Sequence, residues 1–236
     1  MKNRIYLVDG RYFDVVNQAF GRGRIFLPTV CHPALPEETA FHPDMALCPV
    51  APGQVVCAPE LFETYRELLA PFGIAVLCGE TALGGDYPGD IAYNVLITEY
   101  CAFSRADCTD KVLKKCLKEQ KKPLISVSQG YARCSTLSFG TSMITADPTL
   151  CGAGKEAGLT VLSISPGHIL LPGYDYGFIG GASGLLDGKT ICFFGGLDTH
   201  PEGVTIRKFI ENQGFSVMDI PGKPLTDIGT VLCIEL

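Results

Sequence analysis

The chain has 236 residues and a formal net charge of −6, with 47% hydrophobic and 19% charged residues. That is enough chain for a sizeable core and too apolar a composition for a disordered segment. No apolar run approaches the ~20 residues of a membrane span, the N-terminal run stops at Asp9 and is no signal peptide, and the one basic run, residues 111–122, reads as a solvated helix face rather than a DNA-binding patch.

Taken in chain order, residues 1–53 carry strand-like runs at 5–8 and 25–30 and no long helix. They read as a truncated unit ending at His42 to Cys48. A fuller pattern then recurs four times. Short buried strands are expected at 55–58, 100–103, 143–146 and 191–195. Each is followed by helical spacing, at 60–72, 109–121, 148–157 and 202–213. Gly73, Pro123, Gly158 and Gly214 stop the helices, and a second strand follows each one. The first strands are spaced by 45, 43 and 48 residues. A fixed period of this length means stacked units. The predicted units are 1–53, 54–98, 99–141, 142–188 and 189–236. The expected fold is α/β, a single domain built as a five-fold pseudo-symmetric β/α propeller. An open α/β sheet is the alternative, but it leaves a third strand in every unit without a role.

Polar and glycine-rich residues collect just before these third strands. The segments are His42-Pro43-Asp44, Tyr87 to Ile91, Gln129 to Ser135, Tyr174 to Ser183 and Thr226 to Cys233. In a closed ring they meet at one mouth, where sites are built. Asp44 and Asp90 stand at like positions and suit recognition of a cation. Asn94 adds a neutral hydrogen-bonding partner, and Tyr131 and Tyr174 belong to the same segments. The Tyr174 to Gly184 stretch lacks the ending of a phosphate loop. Its glycines instead let backbone segments approach closely.

Eleven cysteines without a secretory signal point to free thiols in a reducing, cytoplasmic compartment. No C-x2-C pair exists, so no metal site is expected. Cys57, Cys101, Cys116 and Cys192 read as small core residues. Cys134 and Cys233, with Cys48 behind them, fall on third strands and are the candidate nucleophiles. Arg133 beside Cys134 would favour a thiolate, although neighbours on a strand face opposite ways. Among the histidines, His168 lies in a Gly/Pro loop able to cover the mouth. His42 and His200 precede prolines at element starts and read as turn residues, and His32 has no supporting context.

The repeat, Pro43-Asp44-Met45, Gly84-Gly85-Asp86 or Gly89-Asp90-Ile91, and the final Asp227-Ile228-Gly229-Thr230-Val231-Leu232-Cys233 together resemble the pentein superfamily. These are guanidino-modifying enzymes of the dimethylarginine hydrolase and arginine or agmatine deiminase type. The resemblance implies that Cys233 is the nucleophile and that Asp44 contacts a guanidinium. It also implies a histidine near Tyr131-Ala132-Arg133-Cys134 and a glutamate before Gly84. This chain has neither, and His168 is the residue expected to supply the acid/base. A divergent Cys-dependent hydrolase or transferase acting on a guanidino- or amino-bearing compound is expected. The alternative is a non-catalytic module on the same scaffold, binding a protein or ribosomal partner. A small cationic ligand and no cofactor are expected, and the oligomeric state is left open.

Overall fold

Four strand–helix–strand stretches stand where the periodicity predicts them in the computed structural model, which describes residues 4–236. Met1 to Asn3, the start of the N-terminal run, lie outside the described residues. The chain opens with β1 (Arg4–Val8), α1 (Phe13–Phe20) and β2 (Ile25–Pro28). A single helical turn, α2 (Pro43–Ala46), leads into β3 (Leu47–Ala51), β4 (Gln54–Cys57), α3 (Phe62–Leu69) and β5 (Ala75–Cys78). Next come β6 (Leu96–Ile97), β7 (Ala102–Ser104), α4 (Lys111–Glu119) and β8 (Leu124–Ser126). They are followed by β9 (Thr136–Phe139), β10 (Ser142–Thr145), α5 (Pro148–Glu156) and β11 (Thr160–Ser163). The last set is β12 (Ser183–Leu186), β13 (Thr190–Phe193), α6 (Gly203–Asn212), β14 (Ser216–Asp219) and β15 (Leu232–Glu235).

The strands form five three-stranded sheets, giving a mixed α/β architecture. In each sheet the middle strand pairs antiparallel with one neighbour and parallel with the other. A helix connects every parallel pair, because two parallel strands need a crossover. The strand before each helix is therefore the middle one. The third strands of the sequence reading, β3, β6, β9 and β12, pair with the middle strand that follows them in the chain. β15 closes the remaining sheet by pairing with β1, Cys233 lying opposite Tyr6.

Burial follows this order. Ile5 and Leu7 enter one core cluster while Tyr6 and Val8 enter another. The middle strand is thus covered on both faces, which is why it reads as an unbroken apolar run. The strands after the helices are half-exposed edges. Helix ends are set locally. Asp110 and Asp147 accept backbone N–H bonds at the starts of α4 and α5. Gly73, Gly158 and Gly214 take left-handed φ values of 71°, 82° and 80° after α3, α5 and α6, and Lys121 does the same at 56° after α4.

One expectation is corrected. Residues 1–53 do contain a helix, α1, which buries Val16 and Phe20. Like α3 it is eight residues long and has no side-chain cap, and five of its eight residues are apolar.

Candidate functional site

The segments leading into β9, β12 and β15 are tied to one another by main-chain bonds, and the Asn94 side chain ties those leading into β3, β6 and β9. Gly181 donates to the Cys134 carbonyl at 2.9 Å, and its own carbonyl accepts from Ile228 and Thr230. A Cβ at Gly181 would meet the Asp227 carboxylate at 1.9 Å, so this close passage requires glycine. Gly229, at φ 69°, packs so tightly against His42 that a Cβ there would lie 2.2 Å from the imidazole-bearing Cβ.

Side chains fill the space so enclosed. Cys134 donates its thiol hydrogen to Asp44 Oδ2 at 2.9 Å. Asn94, fully buried, donates from Nδ2 to Cys134 Sγ at 3.0 Å and to the Asp44 carbonyl at 3.2 Å. Its Oδ1 accepts the backbone N–H groups of Arg133 and Cys134 at 2.8 and 3.2 Å. Asn94 thus satisfies two main-chain donors that would otherwise be buried unpaired. Tyr131 donates its hydroxyl hydrogen to Asp90 Oδ2 at 2.7 Å. Asp227 accepts from the Phe178 and Gly229 N–H groups at 2.8 and 2.9 Å.

Three carboxylates are therefore buried close together. Burial, reinforced by the Asp227 charge, raises Asp44 to about 8. Burial raises Asp227 to about 6 against the pull of its two N–H donors. Burial also holds the Cys134 thiol well above its ordinary range, with the Asp44 charge adding to the effect. His42 sits with Nδ1 3.9 Å from Asp227 and Nε2 3.9 Å from Asp9. Burial, with Arg11 nearby, lowers it to about 3 and keeps it neutral. Asp9 itself is paired with Arg11 at 2.6 Å.

These groups surround a cavity of about 130 Å³. His42, Asp90, Cys134 and Asp227 line it, and Tyr131, Tyr174, Tyr176 and Phe178 supply aromatic walls. Tyr176 stands perpendicular to Phe178, with centroids 6.2 Å apart. Asp44 backs Cys134. Asp44 Oδ1 and Asp90 Oδ1 are buried and have no hydrogen-bond partner among the described residues. Among those residues no three His, Cys, Asp or Glu side chains are grouped to hold a metal ion.

A family model described as "Family of unknown function (DUF6873)" matches residues 7–232. The chain belongs to that family. No curated protein matches it. Solved structures do. An arginine dihydrolase, ArgZ, from the ornithine-ammonia cycle in cyanobacteria superposes with a TM-score of 0.58 at 11% identity. The match covers 93% of this chain and 37% of that one, so the chain spans little more than a third of the dihydrolase. An amidinotransferase, SxtG, from Microseira wollei superposes with a TM-score of 0.56 at 9% identity, covering 93% of this chain and 89% of that one. At such identity the likeness shows the fold alone: the chain shares the fold of these pentein-type enzymes.

Asp44, Asp90, Asn94, Tyr131, Cys134 and Tyr174 come together in this family member as their sequence positions suggest. Cys233 does not join them. It lies on β15 in a different cavity with Cys48 and Arg133. Burial pushes its thiol up to about 11 despite Arg4 nearby. His168 is also elsewhere. It is exposed, rests edge-on against His200 at 5.3 Å, and lines a neighbouring cavity of about 220 Å³ that shares only Tyr176 and Phe178 with the first. Sequence reasoning missed His42 and Asp227 as members of the cluster. Their signal was present, since His42 stands two residues before Asp44 and Asp227 two before Gly229. His42 was read as a turn residue because a proline follows it.

Proposed function

We propose that the five sheets are the blades of a pentein-type β/α propeller, and that the cavity among their lead-in segments holds a small guanidino- or amino-bearing cation. The observation that carries this reading is Asp90 Oδ1, an unpartnered carboxylate oxygen in a 130 Å³ aromatic-walled cavity. A buried, unpaired carboxylate oxygen is costly, and a cation with N–H donors relieves that cost. The faces of Tyr131, Tyr176 and Phe178 add attraction for a positive charge. The fold shared with a dihydrolase and an amidinotransferase supports a guanidino group as the ligand's cationic part. Phe178 and Tyr176 leave room for a small head group rather than a polymer.

A catalytic reading is favoured by one further observation, the hydrogen bond from Cys134 to Asp44 inside this cluster. In that reading a bound cation favours the ionised form of Asp44, which takes the Cys134 hydrogen as sulfur bonds to the electrophilic carbon; Asp44 then gives that proton to the departing amine as the C–N bond breaks, and water displaces sulfur from the carbon to restore the thiol. A bound cation lowers the thiol's pKa and so enables the attack. Cys134 takes the place that the family resemblance gives to Cys233.

Thermal denaturation with guanidinium, agmatine and arginine tests the binding reading. At least one compound is expected to raise the midpoint in a saturable way, and Asp90→Asn to remove the effect. If none of the three does so for the wild type, the cation site is wrong. Mass-spectrometric mapping of urea or ammonia release against Cys134→Ser separates catalysis from binding: binding that persists without any turnover in the wild type leaves a non-catalytic module.

A further inference from the structure

The second cavity, about 230 Å³, takes residues from the antiparallel edge strand of every sheet: Cys48 of β3, Ile97 of β6, Ser138 of β9, Leu185 of β12 and Cys233 of β15. Its cation is Arg133. We infer that this cavity binds a small oxyanion anchored by the Arg133 guanidinium. The site is separate from the acidic cavity and its assignment stands without the reading given above for that cavity.

A guanidinium carries five N–H donors in a rigid fork suited to carboxylate or phosphate. Among the described residues Arg133 uses one of them, from Nη2 to Thr230 Oγ1 at 3.3 Å, and makes no ion pair. Thr230 is itself fixed. It holds a left-handed φ of 73°, which a β-branched residue rarely adopts. Its N–H donates to the Gly181 carbonyl at 2.8 Å and its hydroxyl donates to the Ser183 carbonyl at 2.9 Å. The hydroxyl oxygen is thereby left to accept from Arg133. The guanidinium is half-buried, oriented from one side, and open to the cavity on the other.

The remaining walls suit an anion. Leu47, Leu185 and Leu232 are apolar and exclude competing water. The Ser138 hydroxyl is a further donor. Cys48 and Cys233 stay as thiols, raised by burial to about 12 and about 11, so neither repels a negative charge. Glu235, the carboxylate on this wall, is bonded by Arg4 at 2.6 Å. The volume accommodates inorganic phosphate or a short carboxylate, which share the acceptor oxygens that Arg133 lacks.

Calorimetric titration of the full chain with inorganic phosphate, acetate and chloride, at matched ionic strength, tests the proposal. Saturable binding of phosphate or acetate but not chloride is expected, and the better of the two names the ligand chemistry. Arg133→Gln should weaken that binding by about tenfold or more. In the wild type the bound oxyanion should also slow alkylation of Cys233. Absence of saturable binding by both oxyanions overturns the proposal, as does unchanged affinity in Arg133→Gln. If that variant does not fold, the wild-type alkylation rate decides, and a rate unchanged at saturating oxyanion sinks the site.

Discussion

Asp44 shows how burial alone can prepare a group for chemistry. Its carboxyl is only 1% exposed and its pKa is raised to about 8. The folded state therefore holds a proton that the unfolded chain releases near pH 4. The consequence for stability has a definite sign. A raised folded pKa gives a contribution present below the unfolded value and lost as pH climbs to the folded one. Asp227 adds the same trend, but only up to about 6. His42, lowered to about 3, acts in the opposite sense and has finished by its unfolded value of 6.5. Between pH 6.5 and 8 the Asp44 contribution is thus left alone among these three. The wild-type unfolding free energy should fall across that window by at most about 1.4 kcal/mol per pH unit. Asp44→Asn should flatten it. Denaturant titrations at four pH values check this, and a wild-type profile as flat as the variant's would show that Asp44 does not carry the proton. Cation affinity should rise over the same interval, as Asp44 gains charge.

At the scale of elements, α4 illustrates how one side chain joins two pieces of chain. Asp110 Oδ1 accepts from Val112 and Leu113 at 2.8 and 3.3 Å, capping the helix. Its Oδ2 accepts from Glu80 and Thr81, both at 2.9 Å, and so fixes the turn after β5. Burial works to raise this carboxyl, yet the N–H donors hold it below the usual carboxylate range. Asp110→Ala strands donors in both places and should cost about 2–4 kcal/mol, more than an isolated cap. Asp110→Asn keeps the cap and should cost less. Equal losses in the two variants, measured by denaturant unfolding, would mean that the turn after β5 draws nothing from Asp110. This pairing is invisible in sequence, where nothing links Asp110 to the turn after β5, thirty residues earlier. Helices and middle strands were legible because their periods are strong: 60–72 became α3 with a short 3-10 turn on each side, and 148–157 became α5. α1 was passed over although five of its eight residues are apolar and Val16 and Phe20 are buried. The site was legible in part for a related reason. Asp44, Asp90, Asn94 and Cys134 were found from their place before third strands, a local feature. Cys233 was misplaced because a short terminal motif says nothing about which face of β15 its side chain takes.

Over the whole molecule, the first and last strands share one sheet. β15 pairs with β1 over Arg4 to Leu7, with Arg4 opposite Glu235. The bond between those two side chains spans 231 positions. Leu232 and Ile234 are 3% and 0% exposed, and Ile234 shares a core cluster with Ile5 and Leu7. The segment just before β15 carries Asp227, Gly229 and Thr230, so the same strand pairing positions both the acidic cavity and Arg133. Removing residues 232–236 deletes one strand of a three-stranded sheet and leaves one edge of β1 unpaired. Two fully buried aliphatic side chains are each worth roughly 2–5 kcal/mol, against a total stability of about 5–15 kcal/mol. The loss is of the same size as the whole. The shortened chain is expected to lose its cooperative thermal transition, not merely to shift it. Hydrogen exchange adds spatial detail: protection should vanish first in β1 and in the 227–231 segment, and then in β12, which contacts Val231. A truncated chain that melts cooperatively with full protection of β1 would show that the sheet stands without its last strand.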